Sequence, residues 1–165
     1  MTLSLHLLRH GDAAAPESWA GADDDRPLSP QGRRQAERLG RFLRSAGFRP
    51  DAIVSSPKLR ARQTAELVAA EVGVAVSIAD GLAAGPGLRE IEGVLRTAGD
   101  PIRPILVGHE PDFGDLAAML VGAAALPVGK GALVRIDVDR PLTGGHGTLR
   151  WLVPPDLLPP DEQDA

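Results

Sequence analysis

Arg9, His10 and Gly11 stand together where an opening apolar run ends, with Asp12 just behind them. An arginine offers a planar charged fork that can hold two phosphoryl oxygens at once. A histidine offers a nucleophilic nitrogen near neutral pH. Glycine lets the backbone turn sharply and lets a ligand approach the main chain. Two further segments carry related chemistry: Ser56-Pro57-Lys58-Leu59-Arg60, continuing Ala61-Arg62-Gln63-Thr64, and Gly108-His109-Glu110. Together they supply two histidines and two arginines, with no metal-ligand cluster and no glycine-rich nucleotide loop. Two guanidinium groups would neutralise a phosphoryl dianion and the charge on its equatorial oxygens in the transition state. One histidine can attack phosphorus while the other donates a hydrogen bond or proton to an oxygen. The chemistry indicated is phosphoryl transfer without a metal or other cofactor.

For these residues to meet, strand ends must bring them to one edge. Thr2 to Leu8 reads as a buried strand interrupted by His6, and Asp12 to Arg26 as an irregular polar loop. Ser29-Pro30 caps and opens a helix to about Ala46, stopped by Gly47. Asp51 to Ser55 is a second strand, Leu59 to about Val72 a helix, and Val74 to Ile78 a third strand. A loop from Asp80 to Gly87 leads to a helix over Leu88 to Thr97. Pro104 to Gly108 is the next strand, then a helix from Asp112 to Val121, and two closing strands over Ala132 to Val138 and Gly147 to Val153. This alternation implies an α/β fold, a three-layer α/β/α sandwich around a mainly parallel sheet of about six strands. The three motifs follow strand ends, and in a parallel sheet such ends share an edge where ligands gather. On the second helix Arg60 and Thr64 share a face, and Arg62 points elsewhere.

Composition narrows the classes. The 165 residues fit one domain, read as 1–153, with a Pro- and Asp-rich tail over 154–165 expected to be mobile. Hydrophobic residues are 43% of the chain, which argues for a packed core, while aromatics are 3%, too few for stacking on nucleobases. A net charge of −4 argues against nucleic acid and membrane surfaces as partners. With no cysteine and no signal-peptide pattern, the expected location is the cytoplasm. Lys58 and Lys130 are the only lysines, so nearly all positive charge is arginine.

The ordered motifs resemble the histidine phosphatase superfamily, the phosphoglycerate mutase-like fold, and most closely its small SixA-type phosphohistidine phosphatases. The superfamily's Arg-His-Gly corresponds to Arg9-His10-Gly11, and its Ser-Pro, arginine and Gln-Thr to Ser56-Pro57, Arg60 and Gln63-Thr64. The late histidine corresponds to His109, and the smaller group's Arg-Pro-Leu-Ser to Arg26-Pro27-Leu28-Ser29, with Gly32 following. The resemblance implies that His10 is the nucleophile, that Arg9 and Arg60 clamp the phosphoryl oxygens, and that His109 completes the pocket. Arg26 and Gly11 are implied as substrate contacts. The implied activity is hydrolysis of phosphohistidine on a protein. The alternatives are a phosphatase for a small phosphate monoester using the same nucleophile, and a non-catalytic phosphate-binding module.

Many superfamily members carry a glutamate acid in a longer middle segment. Leu88-Arg89-Glu90-Ile91 resembles that motif superficially, but Glu90 falls early in a helix. Asp12, Glu110 or no side chain at all are the other readings for a proton donor. An imidazole leaving group needs less acid assistance than an alkoxide, which favours phosphohistidine. Structural readings stand beside these. His6 reads as a packed or edge histidine, His146 as exposed, and Arg26 as a counter-charge for Asp23, Asp24 and Asp25. That acidic run reads as a solvated loop, or as a guide for a basic partner.

Overall fold

A computed structural model describes residues 1–160. Six strands form one sheet: β1 (Thr2–Arg9), β2 (Ala52–Ser55), β3 (Val76–Ile78), β4 (Pro104–Gly108), β5 (Leu133–Asp139) and β6 (Thr148–Val153). Four helices accompany them: α1 (Pro30–Ser45), α2 (Leu59–Val72), α3 (Leu88–Thr97) and α4 (Asp112–Val121). Across the sheet the order is β3-β2-β4-β1-β5-β6. The pairs β1–β4, β4–β2 and β2–β3 are parallel, while β5 runs against both β1 and β6. The sheet is therefore mainly parallel, with one reversed strand.

Strand alternation divides the core into two layers. Leu3, Leu5, Leu7 and Leu106 face one cluster with Ile91, Leu95, Phe113 and Leu116 of α3 and α4. Leu8, Ile105 and Val107 face the other, with Leu39 and Leu43 of α1 and Ala61, Ala65 and Val68 of α2. Successive residues of one strand supply opposite layers because side chains alternate with a period of two. Both faces are covered, which is why β4 reads as a continuous apolar run rather than an alternating one, while Ser4 and His6 interrupt the run of β1.

The helix boundaries follow local chemistry. Ser29 Oγ accepts the Gly32 N–H at 3.1 Å, and Pro30 fills the first helical position, where no backbone donor is required. Gly47, at φ +69°, takes the left-handed turn that closes α1. Beyond Val153 the expected mobile tail does not begin at Pro154. Pro155–Leu157 form a 3-10 turn, and Leu158, 5% exposed, packs into the layer of α1 and α2. The apolar side chain of Leu158, beyond the last strand, holds that segment against the core. The rest of the expected tail, 161–165, lies outside the described residues.

His6 is a packed histidine. It is fully buried, its Nδ1 bonds the Pro104 carbonyl at 3.0 Å, and its ring meets Phe48 edge-on at 4.8 Å between centroids. Burial, opposed by that hydrogen bond, pushes its pKa down to about 4. Between pH 6.5 and about 4 the unfolded chain binds a proton that the folded chain refuses, so stability falls as pH falls through this window. Full protonation is expected to remove about 3 kcal/mol on His6's account alone. Thermal unfolding across that range checks this; a flat midpoint would contradict it.

Candidate active site

Strand order and register assemble the site. β2, β4 and β1 lie side by side and point the same way, so the segments after Ser55, Gly108 and Arg9 leave from one edge. Arg9 pairs with Gly108 and Ser55 with Val107, which puts His10 beside His109 and Ser56 beside Gly108. The ring centroids of His10 and His109 are 5.3 Å apart. A cavity of about 570 Å³ opens above them, lined by Arg9, His10, Asp12, Ala13–Pro16, Arg26, Ser29, Arg60, His109, Glu110 and Lys130. The residues expected to converge from separate junctions do converge, with Gly11 as the exception.

Gly11 does not line the cavity. Its N–H donates to Thr64 Oγ1 at 3.1 Å and its carbonyl accepts from His10 Nδ1 at 2.7 Å. Thr64 in turn donates to the Arg60 carbonyl, so this glycine ties the end of β1 to α2. Its lack of a side chain serves packing: a Cβ on Gly11 would meet the Gly32 carbonyl oxygen at 2.7 Å, and one on Gly32 would meet the Asp12 oxygen. Glycine at both positions lets α1's first turn press directly onto the loop behind His10.

The His10 tautomer is dictated by that carbonyl. An oxygen acceptor requires a hydrogen on Nδ1, which leaves a lone pair on Nε2. His10 is 7% exposed, and burial chiefly, then the charges of Arg60, Arg9 and Arg26, lower its pKa to about 4. The ring is therefore neutral at pH 7, with an unprotonated nitrogen available. His109 Nε2 lies 2.7 Å from Ser56 Oγ. Ser56 Oγ also accepts the Lys58 N–H at 3.3 Å and keeps its own hydrogen to give; when that hydrogen goes to Nε2, the His109 hydrogen sits on Nδ1. Burial first and His10 next lower the His109 pKa to about 3.

Both arginines have donors to spare. Arg9 Nη1 donates to the Val128 carbonyl at 3.1 Å, and Arg60 donates through Nη1 and Nη2 to Asp23. Arg9 Nε, Arg60 Nε and His109 Nδ1 are each buried without a partner. Buried polar atoms are normally satisfied, and two guanidinium nitrogens and an imidazole nitrogen left without partners in residues lining one cavity can hold an anion. Arg26 lines the cavity while donating to Asp23 Oδ1 and the Ala14 carbonyl, so it serves as the counter-charge of Asp23 from within the cavity wall.

The acid candidates are otherwise engaged. Asp12 accepts from Lys130 Nζ at 2.8 Å and Ser29 Oγ at 2.6 Å, and these bonds hold its carboxyl below the usual range. Glu110 accepts from the amides of Gly114 and Val128, both at 2.7 Å. Glu90 does not line the cavity and caps α3, accepting the Gly87 N–H at 2.9 Å. Sequence reasoning did not identify Ser56 as the partner of His109, or Lys130 as part of the wall. Lys130 arrives because β5 is reversed and starts at the edge where β1 ends, with the Gly131 N–H on the His10 carbonyl at 3.0 Å. Its one sequence signal is that it is one of only two lysines. Among the described residues, no group of three His, Cys, Asp or Glu could hold a metal ion, and no helix is long and apolar enough to cross a membrane.

Comparison with known proteins agrees with this geometry. Residues 5–92 match the family model of the histidine phosphatase superfamily, branch 1. An uncharacterized protein of Picosynechococcus sp. is 38% identical over 70% of this chain and 71% of its own length. Phosphohistidine phosphatase SixA of Escherichia coli K12 is 26% identical over 93% of this chain and 94% of its own. A solved structure of the protein histidine phosphatase SixA complexed with tungstate superposes with a TM-score of 0.79, covering 94% of this chain and 98% of that one, at 24% identity.

Proposed function

The chain belongs to the histidine phosphatase superfamily, and from that premise we propose that it hydrolyses phosphohistidine on a protein through a covalent intermediate at His10. The observation that carries this reading is the His10 tautomer. With Nδ1 held by the Gly11 carbonyl, Nε2 is a fixed nucleophile in a cavity that Arg9, Arg26 and Arg60 also line. Nε2 attacks phosphorus, the Nε2–P bond forms, and the substrate's P–N bond breaks with its electron pair going to the departing imidazole. That nitrogen takes its proton from water. A second water then attacks phosphorus and gives its proton to the hydroxide left by the first, the pair returns to Nε2, and orthophosphate is released. Arg9 and Arg60 offset the charge on the phosphoryl oxygens at both steps, and Nδ1–H of His109 donates to one of them.

The leaving group follows from the acid inventory. Asp12 is an ionised partner of Lys130, Glu110 is spent on two amides and Glu90 is a helix cap. A site so equipped suits a leaving nitrogen that is readily protonated better than a sugar or serine alkoxide. Similarity to SixA along nearly the whole length supports the same choice. Assays of a phosphohistidine protein against small phosphomonoesters test it. The expected result is a kcat/KM at least about tenfold higher for the phosphohistidine protein. Preference for a small ester would overturn the substrate, and loss of neither activity in a His10→Ala variant would overturn the mechanism. Glu90→Gln keeps an oxygen for the Gly87 amide and is expected to leave turnover within about twofold, where loss of a true general acid costs about a hundredfold or more.

A further inference from the structure

Asp23 stands apart from the two aspartates beside it. It opens the 3-10 turn Asp23–Asp25, and all of its acceptors go to cavity arginines. Oδ1 accepts from Arg26 Nε at 3.0 Å, Oδ2 from Arg60 Nη2 at 3.1 Å, and the main-chain oxygen from Arg60 Nη1 at 2.8 Å. Asp24 lies 3.7 Å from Lys58 Nζ instead, and Asp25 is exposed. One carboxylate thus bridges two guanidinium groups that otherwise repel each other. Hydrogen bonding from Arg26 holds its pKa below the usual carboxylate range, so it is anionic at neutral pH. The bridge also fixes orientation. It occupies both terminal nitrogens of Arg60 and leaves the buried Nε–H unspent.

A clamp of three guanidinium groups has a defect that this bridge corrects. Free orthophosphate presents the three oxygens of the transferred group plus one from water, with a similar charge, so arginines strong enough for the transition state also retain the product. A carboxylate fixed against two of them lowers the potential while leaving the Arg60 Nε–H unspent. Resting on the phosphatase reading above, we propose that Asp23 is the positioning residue of the phosphoryl clamp, which aligns Arg26 and Arg60 and limits their hold on free phosphate.

Calorimetric titration with inorganic phosphate, which needs no turnover, tests the affinity, and steady-state kinetics test the alignment. Asp23→Asn is expected to bind phosphate about threefold to tenfold more tightly while kcat falls about tenfold. A merely structural loss weakens both. Asp23→Glu keeps the charge and is expected to return phosphate affinity to within about twofold of the parent. Asp25→Asn makes the same charge change on the same turn and is expected to move neither quantity. The Asp23 side chain is 57% exposed, so Asp23→Ala serves as a second removal that leaves the core intact. Unchanged or weaker phosphate binding in both removals overturns the proposal, as does equal tightening in Asp25→Asn. Asp23-dependent phosphate binding in a chain that hydrolyses neither substrate class would sink the phosphatase reading and leave this one standing. Hydrolysis with no Asp23 effect on affinity would do the reverse.

Discussion

Alanine at position 10 is expected to lower kcat by at least about 10⁴-fold while leaving the protein folded and still able to bind phosphate. The nucleophile is lost, but the imidazole accounts for little of the anion's binding, which rests on the unspent N–H groups of Arg9 and Arg60. Quenching parent enzyme in alkaline denaturant during turnover should trap a phosphoryl group on a nitrogen, released again by acid, and the variant should trap none. The parent's pH profile follows from the same ring. With its pKa near 4, His10 keeps Nε2 free through the mildly acidic range, and kcat/KM declines only as pH falls through about 4. Residual activity within tenfold of the parent would mean that another group attacks and would overturn His10 as the nucleophile.

Arg60 carries the second large effect. Replacing it with alanine is expected to lower kcat/KM by about 10³-fold, with most of the loss in kcat, because its charge matters most when the phosphoryl oxygens become most negative. Arg60→Lys is expected to recover less than about tenfold. An ammonium group keeps the charge but cannot bond Asp23 through two nitrogens and still present a third N–H to phosphate. Steady-state kinetics on either substrate class checks both numbers. A lysine variant close to the parent would show that Arg60 acts as a simple point charge.

The parts of this molecule that are legible in its sequence are those governed by local rules. Apolar runs set β1, β2 and β4, Ser29-Pro30 set the start of α1, and the positions of Arg9-His10, Arg60 and His109 after strand ends set a shared edge. What the sequence left unread depends on pairings between distant segments. Nothing in Leu133–Asp139 announces that this strand runs backwards, yet that reversal delivers Lys130 and Val128 to the cavity. Asp23 sits in a run of three aspartates whose members differ only in which way one 3-10 turn points them. Gly11 was expected at the ligand because glycine permits close approach. The close approach is real, but it is to Gly32. Leu158 reads as part of a polar tail until the layer it packs into is known.

The placement of β1 shapes how the protein is made. It is made before both of its hydrogen-bonding neighbours, β4 at Pro104–Gly108 and β5 at Leu133–Asp139. Until those segments appear, the nascent chain carries a greasy central strand with two open flanks, the kind of segment that chaperones guard and that sticks to its own kind. The wall beside His10 waits on the same part of the chain, since the carbonyl of His10 finds its partner amide only once Gly131 has been made.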